Sequence, residues 1–217
     1  MCGIVGYIGQ QNATPIIVEG LGRLEYRGYD SAGIAVLNAG EIAIRRDVGK
    51  LNNLRQRLFD SPMSGSVGIG HTRWATHGVP SEYNAHPHIS MGGDFVLVHN
   101  GIVENYLELR DELASEGIQF ASETDTEVIV QLIELHARNG AQGDIVESTR
   151  RAVKRLRGAH AIVVLSKNQP DCIVVVRIGN AGGVAVGIGE GEHFIASDIP
   201  AILEHTRKMV FLEDGQM

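Results

Sequence analysis

The second residue of the chain, Cys2, stands directly after the initiator methionine. Cysteine is small enough for Met1 to be removed, and the mature chain would then begin with a thiol and a free α-amine on one residue. With a pKa of about 7.7–8, roughly a tenth of such an amine is neutral at pH 7, against about 0.04% of a lysine amine. The pair therefore suits nucleophilic catalysis in which the amine takes the thiol proton. By position alone, however, a residue after Met1 is usually uninformative.

The residues after Cys2 would hold this terminus in place. Residues 3–8 form a short, β-branched apolar run, which predicts a buried strand. Most chain ends fray unless they are tied down in this way. We therefore expect the core to fix Cys2.

The rest of the chain alternates in blocks of strands, then helices, then strands again. Strands are predicted at 31–37, 41–48, 67–72, 95–99, 160–166, 172–177, 184–188, 193–196 and 209–212. Helices are predicted from Thr14-Pro15 to about Arg27, around 51–58, and at 105–116, 125–138 and 144–156. Strict βαβ alternation is absent, which disfavours a doubly wound sheet and favours two sheets packed face to face with helices outside.

Two local patterns give sharper expectations. Asn38, Ala39 and Gly40 lie between two strands and predict a hairpin with a three-residue loop. Residues 124–127 read Thr-Asp-Thr-Glu, which satisfies the capping-box pattern at the start of the helix over 125–138.

Composition excludes several classes of protein. The net charge is −7, with 26 acidic and 19 basic residues, which disfavours a nucleic-acid partner. No apolar run is long enough to span a membrane, and the N-terminus lacks the charged region of a signal peptide. We expect a cytoplasmic protein with no nucleic-acid and no membrane partner.

The cysteine and histidine patterns indicate neither a disulfide framework nor a metal site. Cys2 and Cys172 are far apart, and we expect Cys172 to be an inert core residue of an apolar strand. Nine histidines include His86, His88, His71 and His99, but their spacing matches no zinc signature. We expect no metal and no cofactor.

Five sequence blocks carry a family resemblance. They read MCGIVG (1–6), LEYRGYDSAG (24–33), HTRWATHG (71–78), VHNGIVEN (98–105) and SETDTE (122–127), and shorter blocks follow at 194–198 and 211–215. In this order they resemble the glutaminase (type 2 glutamine amidotransferase) domain of the glutamine:fructose-6-phosphate amidotransferases, also called glucosamine-6-phosphate synthases. The resemblance covers essentially the whole chain. It implies an α+β fold, the four-layer αββα sandwich of the N-terminal-nucleophile hydrolases.

The resemblance also implies a reaction, hydrolysis of L-glutamine to L-glutamate and ammonia. Cys2 would attack the side-chain amide to form a γ-glutamyl thioester, with its own α-amine as base. Asn100 and Gly101 would form the oxyanion hole through the Asn100 side-chain amide and the Gly101 backbone N–H. From the residues alone, Asn-Gly between apolar runs also predicts a hairpin turn.

Six further residues receive roles by the same resemblance. Arg73 would clamp the α-carboxylate of glutamine with its guanidinium fork. Asp125 would accept the α-ammonium, although it also reads as a carboxylate at a helix start. Trp74, Thr76 and His77 would belong to a loop that closes over glutamine, and Trp74 alone could equally be a packed aromatic. Arg27 would shape the site, with a structural ion pair as the alternative.

The chain departs from the family in one place. Arg177 is followed by Ile178-Gly179-Asn180-Ala181-Gly182, where the family usually reads Arg-x-Gly-Ser-Pro-Leu. The geometry of this loop cannot be carried over. We expect residues 1–217 to be one glutaminase domain, the N-terminal fragment of a longer protein whose sugar isomerase half is absent. Fructose 6-phosphate would bind only that missing half, and the full-length protein would be a homo-oligomer.

Three rival hypotheses remain open. An N-terminal-nucleophile peptidase or acylase shares the fold but needs no Arg73 and Asp125 clamp for a free amino acid. A non-enzymatic glutamine-sensing or assembly module would bind glutamine without turnover, even with Cys2 replaced. A third possibility keeps the enzyme but makes His77 or His71 the base.

Overall fold

The first strand after Cys2 lies in the middle of a large sheet. In a computed structural model, which describes residues 2–74 and 78–217, β1 (Gly3–Ile8) pairs antiparallel with β4 (Val67–Arg73) on one side. On its other side it pairs with β10 (His193–Ala196). The sheet continues through β2 (Ser31–Asn38) to β3 (Glu41–Val48), and through β9 (Ala185–Ile188) to β11 (Met209–Phe211).

A second, smaller sheet packs against the first. Its strands are β5 (His88–Ile89), β6 (Phe95–Gly101), β7 (His160–Ser166) and β8 (Ile173–Ile178), joined in that order and antiparallel. A side chain on a strand points to the face opposite that of its neighbour. Val96 and Val98 therefore meet Ile4 and Ile69 of the first sheet, while Phe95 and Leu97 face the other way.

Helices cover the two outer faces. On the larger sheet lie α1 (Ala13–Arg23) and α2 (Leu51–Asp60), whose apolar faces join Val5 and Tyr7 in one core cluster. On the smaller sheet lie α3 (Tyr106–Ser115), α4 (Glu127–Arg138) and α5 (Ile145–Val153). The described part of the chain thus forms helix, sheet, sheet and helix layers with three apolar cores between them. The predicted αββα sandwich is confirmed.

Three local predictions were wrong in detail. In the hairpin, Asn38 pairs with Glu41, so the loop is Ala39-Gly40 alone. Both loop residues have positive φ, which matches the twist of paired strands in two-residue hairpin loops. The first helix begins at Ala13, capped by the Asn12 side chain, rather than at Thr14-Pro15. It ends at Arg23, before a 3-10 turn over Glu25–Arg27.

The predicted capping box is also replaced by a different arrangement. The N-cap residue of α4 is Thr126, and its side chain makes no cap hydrogen bond. The carboxylate of Glu127 instead accepts hydrogen bonds from the backbone N–H groups of Ala121 and Ser122. The segment before α4 is thereby tied to the helix start, and Asp125 is left to make contacts elsewhere.

Candidate active site

The sheet register brings the start of β1 beside the end of β4. Gly3 lies opposite Thr72, so Cys2 lies beside Arg73 and Trp74. The backbone N–H of Trp74 donates a hydrogen bond to Cys2 Sγ at 3.1 Å. All three residues line a cavity of about 580 Å³.

The thiol of Cys2 is held in its protonated form near neutral pH. Burial raises the pKa of Cys2 above its ordinary value of 9.0, and the Trp74 N–H and the charge of Arg73 offset only part of that rise. Burial acts in this direction because it disfavours the charged thiolate. A nucleophilic role for this sulfur therefore requires a base to remove its proton.

The second sheet contributes to the lining of the cavity through Asn100 and Gly101 at the end of β6. The side-chain Nδ2 of Asn100 donates to the carbonyl oxygen of Cys2 at 3.1 Å. Gly101 has a φ of +135°, and a Cβ there would lie 2.2 Å from the carbonyl oxygen of Ala159. Only glycine fits this position without displacing backbone.

Asn100 and Gly101 are not a hairpin turn. They are the last residues of β6, and they pair with Ala161 and His160 of β7. The hairpin reading of Asn-Gly is therefore wrong. Both predicted oxyanion donors lie on residues that line the cavity.

Arg73 and Asp125 place opposite charges in the same cavity. Arg73 ends β4 and is 4% exposed, and its Nη2 donates to the carbonyl oxygen of Gly78 at 3.3 Å. Asp125 is 3% exposed, and its Oδ2 accepts from the backbone N–H of Val103 at 2.7 Å. Burial lowers the pKa of Arg73, while Cys2, Asp125 and Asp30 oppose that shift by attraction. A guanidinium and a carboxylate that line one cavity can pair with the α-carboxylate and the α-ammonium of a free amino acid.

Of the other predicted substrate-binding residues, Trp74 and Arg27 lie within the described part of the chain. Trp74 lines the cavity, is 47% exposed and has its ring edge-on to Tyr29, with centroids 5.4 Å apart. Thr76 and His77 lie outside the described residues. Their substrate roles, like that of Trp74, stay predictions.

Arg27 is not among the described residues that line the cavity. Its Nη1 forms an ion pair with Asp198 Oδ2 at 2.7 Å, and the same carboxylate oxygen accepts from the Tyr26 hydroxyl. Arg27 nevertheless adjoins the site, since a Cβ on Gly182 would lie 3.7 Å from its Nη2. The ion pair named as the alternative is present, and a direct role in binding stays a prediction.

The cavity includes residues to which the sequence assigned no role. Besides the residues named above, it is lined by His86, His99, Ile102, Glu104, Thr124, Thr126, Ala159, Asn180, Ala181 and Gly182. Thr124 and Thr126 flank Asp125, and Ile102 and Glu104 follow the Asn-Gly pair, so proximity in sequence could have indicated them. Asn180 to Gly182 could not be found in this way, because there the sequence departs from the family pattern. The departure therefore lies at the site itself.

Five of the nine histidines are buried around the cavity, but they do not form a metal centre. His71, His86, His88, His99 and His160 contact one another or the hydroxyls of Thr124 and Thr126. Residues 2–74 and 78–217 contain no group of three or more His, Cys, Asp or Glu side chains arranged to hold a metal ion. Within the same ranges, no helix is both long and apolar enough to cross a membrane.

Sequence comparison places this site in a known family. The glutamine amidotransferase domain family matches residues 71–204. A glutamine–fructose-6-phosphate aminotransferase (isomerizing) from Caldanaerobacter subterraneus subsp. tengcongensis is 55% identical over all 217 residues, which is 35% of that protein. A protein of the same name from Aquifex aeolicus is 50% identical over the whole chain and 36% of its own length. The chain thus spans about a third of the length of these relatives.

Structural comparison agrees. The solved structure of an allosteric regulatory enzyme of purine biosynthesis superposes with a TM-score of 0.81 at 25% identity, covering 98% of this chain and 44% of that one. The glutamine phosphoribosylpyrophosphate amidotransferase from B. subtilis superposes with a TM-score of 0.80 at 24% identity, which shows a common fold. Since the family match covers more than half of the chain, and since relatives align over its whole length, the chain belongs to the glutamine amidotransferase domain family.

Proposed function

We propose that this chain hydrolyses L-glutamine to L-glutamate and ammonia through a γ-glutamyl thioester on Cys2. The observation that carries the proposal is that one cavity is lined by Cys2, Asn100, Gly101, Arg73 and Asp125. Within it, the Asn100 side-chain amide hydrogen-bonds to the carbonyl oxygen of Cys2. A nucleophile, two oxyanion donors and a clamp for an amino acid are the groups that amide hydrolysis of glutamine needs.

The reaction proceeds in two halves. After removal of Met1, the α-amine of Cys2 takes the thiol proton, and the thiolate attacks the side-chain carbonyl carbon of glutamine. The resulting oxyanion receives hydrogen bonds from Asn100 Nδ2 and the Gly101 N–H. The C–N bond then breaks, the α-ammonium returns its proton to the leaving nitrogen, and ammonia departs. Water attacks the thioester in the same way and releases glutamate and the thiol.

Selection of a free amino acid follows from the two buried charges. The α-carboxylate of glutamine pairs with Arg73, and the α-ammonium pairs with Asp125. A peptide or an acyl group lacks one or both of these charges, and it would leave a buried charge without its partner. This argument favours glutamine over the substrates of the peptidase or acylase alternative.

The α-amine is a better candidate for the base than His71. His71 Nε2 lies 3.1 Å from the carbonyl oxygen of His99 and 3.1 Å from Asn100 Oδ1, so it faces two acceptors. Burial lowers the pKa of His71 to about 4. A ring with that pKa is a weak base at neutral pH, and its Nε2 proton is already engaged. His77, the other histidine alternative, lies outside the described residues.

The first experiment measures glutamate release from glutamine by the native chain and by Cys2→Ala, with Cys172→Ala as the matched control. We expect turnover by the native chain and the control, and none by Cys2→Ala. Intact mass must show that Met1 is absent, and chemical blocking of the N-terminal amine should then abolish turnover. Glutamine binding without turnover by the native chain would favour the sensing module instead.

In the longer protein we propose that the ammonia converts fructose 6-phosphate to glucosamine 6-phosphate. The support is that relatives called glutamine–fructose-6-phosphate aminotransferase align with the entire chain and extend well beyond it. On this proposal residues 1–217 are the glutaminase domain, the sugar binds to the part of the protein outside them, and the full-length enzyme is a cytoplasmic homo-oligomer. Addition of fructose 6-phosphate to this chain should therefore yield no amino sugar.

A further inference from the structure

The side chain of His71 points across the gap between the two sheets. His71 lies two residues before Arg73 and two after Ile69 on β4, and side chains at this spacing share a face. Ile69 belongs to the core between the sheets, so His71 faces β6. It is 1% exposed, and its Nε2 reaches the carbonyl oxygen of His99 and the side chain of Asn100.

These two contacts determine which ring nitrogen carries the proton. The His99 carbonyl oxygen and Asn100 Oδ1 are both acceptors, so Nε2 must be the donor. Nδ1 of His71 is buried and has no hydrogen-bond partner among the described residues. An unprotonated Nδ1 tolerates that environment better than an N–H group, which would be a buried donor without an acceptor.

The same contacts determine the orientation of the Asn100 amide. Oδ1 accepts from His71, and Nδ2 therefore faces Cys2, where it donates to the carbonyl oxygen at 3.1 Å. A half-turn of the amide would set NH₂ against the His71 N–H and Oδ1 against the Cys2 carbonyl oxygen. Both contacts would then be repulsive, so the neutral His71 ring allows only one orientation.

The ring of His71 is itself held in place. His86 stacks on it with centroids 4.1 Å apart and an interplanar angle of 26°. Nε2 of His86 in turn lies 3.2 Å from the hydroxyl of Thr126, which also contacts His99. His71 is thus a rigid donor rather than one that must be ordered when substrate binds.

We propose that His71 is a positioning residue that holds the Asn100 amide with its NH₂ group toward the oxyanion formed at Cys2. The inference rests on the proposed function, because it assigns His71 a purpose only if Asn100 stabilises that oxyanion. A donor whose orientation is fixed in advance stabilises developing charge without reorganisation in the transition state. His71 therefore contributes to the rate of the chemical step and not to the binding of glutamine.

The test is a double-mutant cycle between His71 and Asn100, measured as glutamate release. His71→Leu should lower kcat by roughly 10–10²-fold and change KM less than about threefold, because only the transition state loses an oriented donor. His71→Gln keeps an N–H donor at similar reach and should recover most of the lost rate. In the Asn100→Ala background, His71→Leu should cause little further loss, since the group that it orients is gone.

Two measurements separate this role from general damage to the fold. Alkylation of Cys2 by iodoacetamide forms no tetrahedral oxyanion, so His71→Leu should leave its rate nearly unchanged. His136→Leu removes a half-buried histidine of α4 outside the site and serves as the control for loss of an imidazole. If His71→Leu fails to fold, His71→Asn replaces it, because the shorter amide does not reach Asn100. The His71→Asn variant should then have a lower kcat than His71→Gln.

The outcomes are distinguishable. An unchanged kcat in His71→Leu, or equal losses in the native and Asn100→Ala backgrounds, would overturn the inference. Equal rates for His71→Gln and His71→Asn would do the same. An Asn100→Ala variant as fast as the native chain would instead overturn the oxyanion role of Asn100, and the proposed function with it.

Discussion

Asn100 Nδ2 and the carbonyl oxygen of Cys2 lie 3.1 Å apart, and this hydrogen bond joins the smaller sheet to the larger one. Cys2 precedes the central strand of the larger sheet, and Asn100 is the penultimate residue of β6. His71 of β4 adds a second polar link through its contacts with His99 and Asn100 of β6, and apolar side chains fill the space between the two sheets. The candidate site therefore lies where the ends of β1, β4 and β6 meet at one edge of the inter-sheet core. Its geometry depends on how the two sheets pack.

The thiol of Cys2 should titrate at high pH in the form of the chain that keeps Met1. Burial raises the pKa of Cys2 above 9.0, so the thiolate is scarce at pH 7 and increases with pH. We expect the rate of Cys2 alkylation by iodoacetamide to rise continuously from pH 7 to pH 9 without a plateau. A Cys172→Ser background isolates this signal. A midpoint below pH 8 would contradict the assignment and would remove the need for a separate base.

Arg73 should determine the affinity for glutamine through the shape of its guanidinium. Arg73→Lys keeps the charge but loses the planar fork, so we expect KM for glutamine to rise by roughly ten- to a hundredfold, on the order of 1–3 kcal/mol. Arg73→Glu should eliminate measurable turnover. Arg23→Lys, at a surface pair with Glu204, is the control. Activity that survives Arg73→Glu would favour the peptidase or acylase alternative.

Gly101 should not tolerate even one methyl group. Gly101→Ala combines a φ of +135° with a Cβ placed 2.2 Å from a backbone oxygen. Gly117 has a φ of +84° but open space around it, so Gly117→Ala measures the conformational cost alone. We expect about 1 kcal/mol of destabilisation for Gly117→Ala. Gly101→Ala should cost at least about 2 kcal/mol more and should abolish turnover.

Urea unfolding with a glutaminase assay checks this comparison. The difference between the two variants contains the steric clash with Ala159, together with the extra backbone strain at a φ of +135° compared with +84°. Equal losses of stability in Gly101→Ala and Gly117→Ala would show that β6 can shift away from Ala159. Full activity in Gly101→Ala would rule out a tightly fixed N–H donor at this position.

Much of the fold could be predicted from the sequence because its signals are local. The short runs at Gly3–Ile8, His160–Ser166 and His193–Ala196 are strands with the predicted bounds. The two-residue strand His88–Ile89 was not predicted, since it is too short to show a period. The start of α4 was read wrongly because Glu127 bonds to Ala121 and Ser122, contacts that no capping pattern specifies.

The sequence indicated several residues of the candidate site, but it did not indicate the contacts between them. Sequence blocks indicated Cys2, Arg73, Asn100 and Asp125, and these four line one cavity. The contact between His71 and Asn100 joins residues 29 positions apart in different sheets, so its existence depends on sheet packing alone. The same packing places the divergent loop at Asn180 beside the cavity.

The buried histidines should make the fold sensitive to mild acid. Burial lowers the pKa of His71 to about 4, and it lowers the pKa values of His86, His88 and His99 well below 6.5. Between these values and 6.5 the unfolded chain binds more protons than the folded one, so stability rises with pH in this range. The contribution is fully present above pH 6.5 and is lost as pH falls toward 4. For His71 alone it amounts to about 3 kcal/mol.

Urea unfolding at several pH values between 4.5 and 7.5 measures this dependence directly. Each histidine that is neutral when folded and protonated when unfolded adds about 1.4 kcal/mol per pH unit to the slope. Between pH 4.5 and 6 we expect the free energy of unfolding to rise more steeply than one such histidine can account for. The rise should be less steep in His71→Gln, which lacks one titrating ring. His193→Gln, at an exposed position on β10, is the control for the substitution itself. A flat profile would mean that these rings titrate in the folded state as they do in the unfolded chain, and it would contradict the stability prediction. The orientation argued for Asn100 would survive that result, because a protonated His71 still donates from Nε2 to Oδ1.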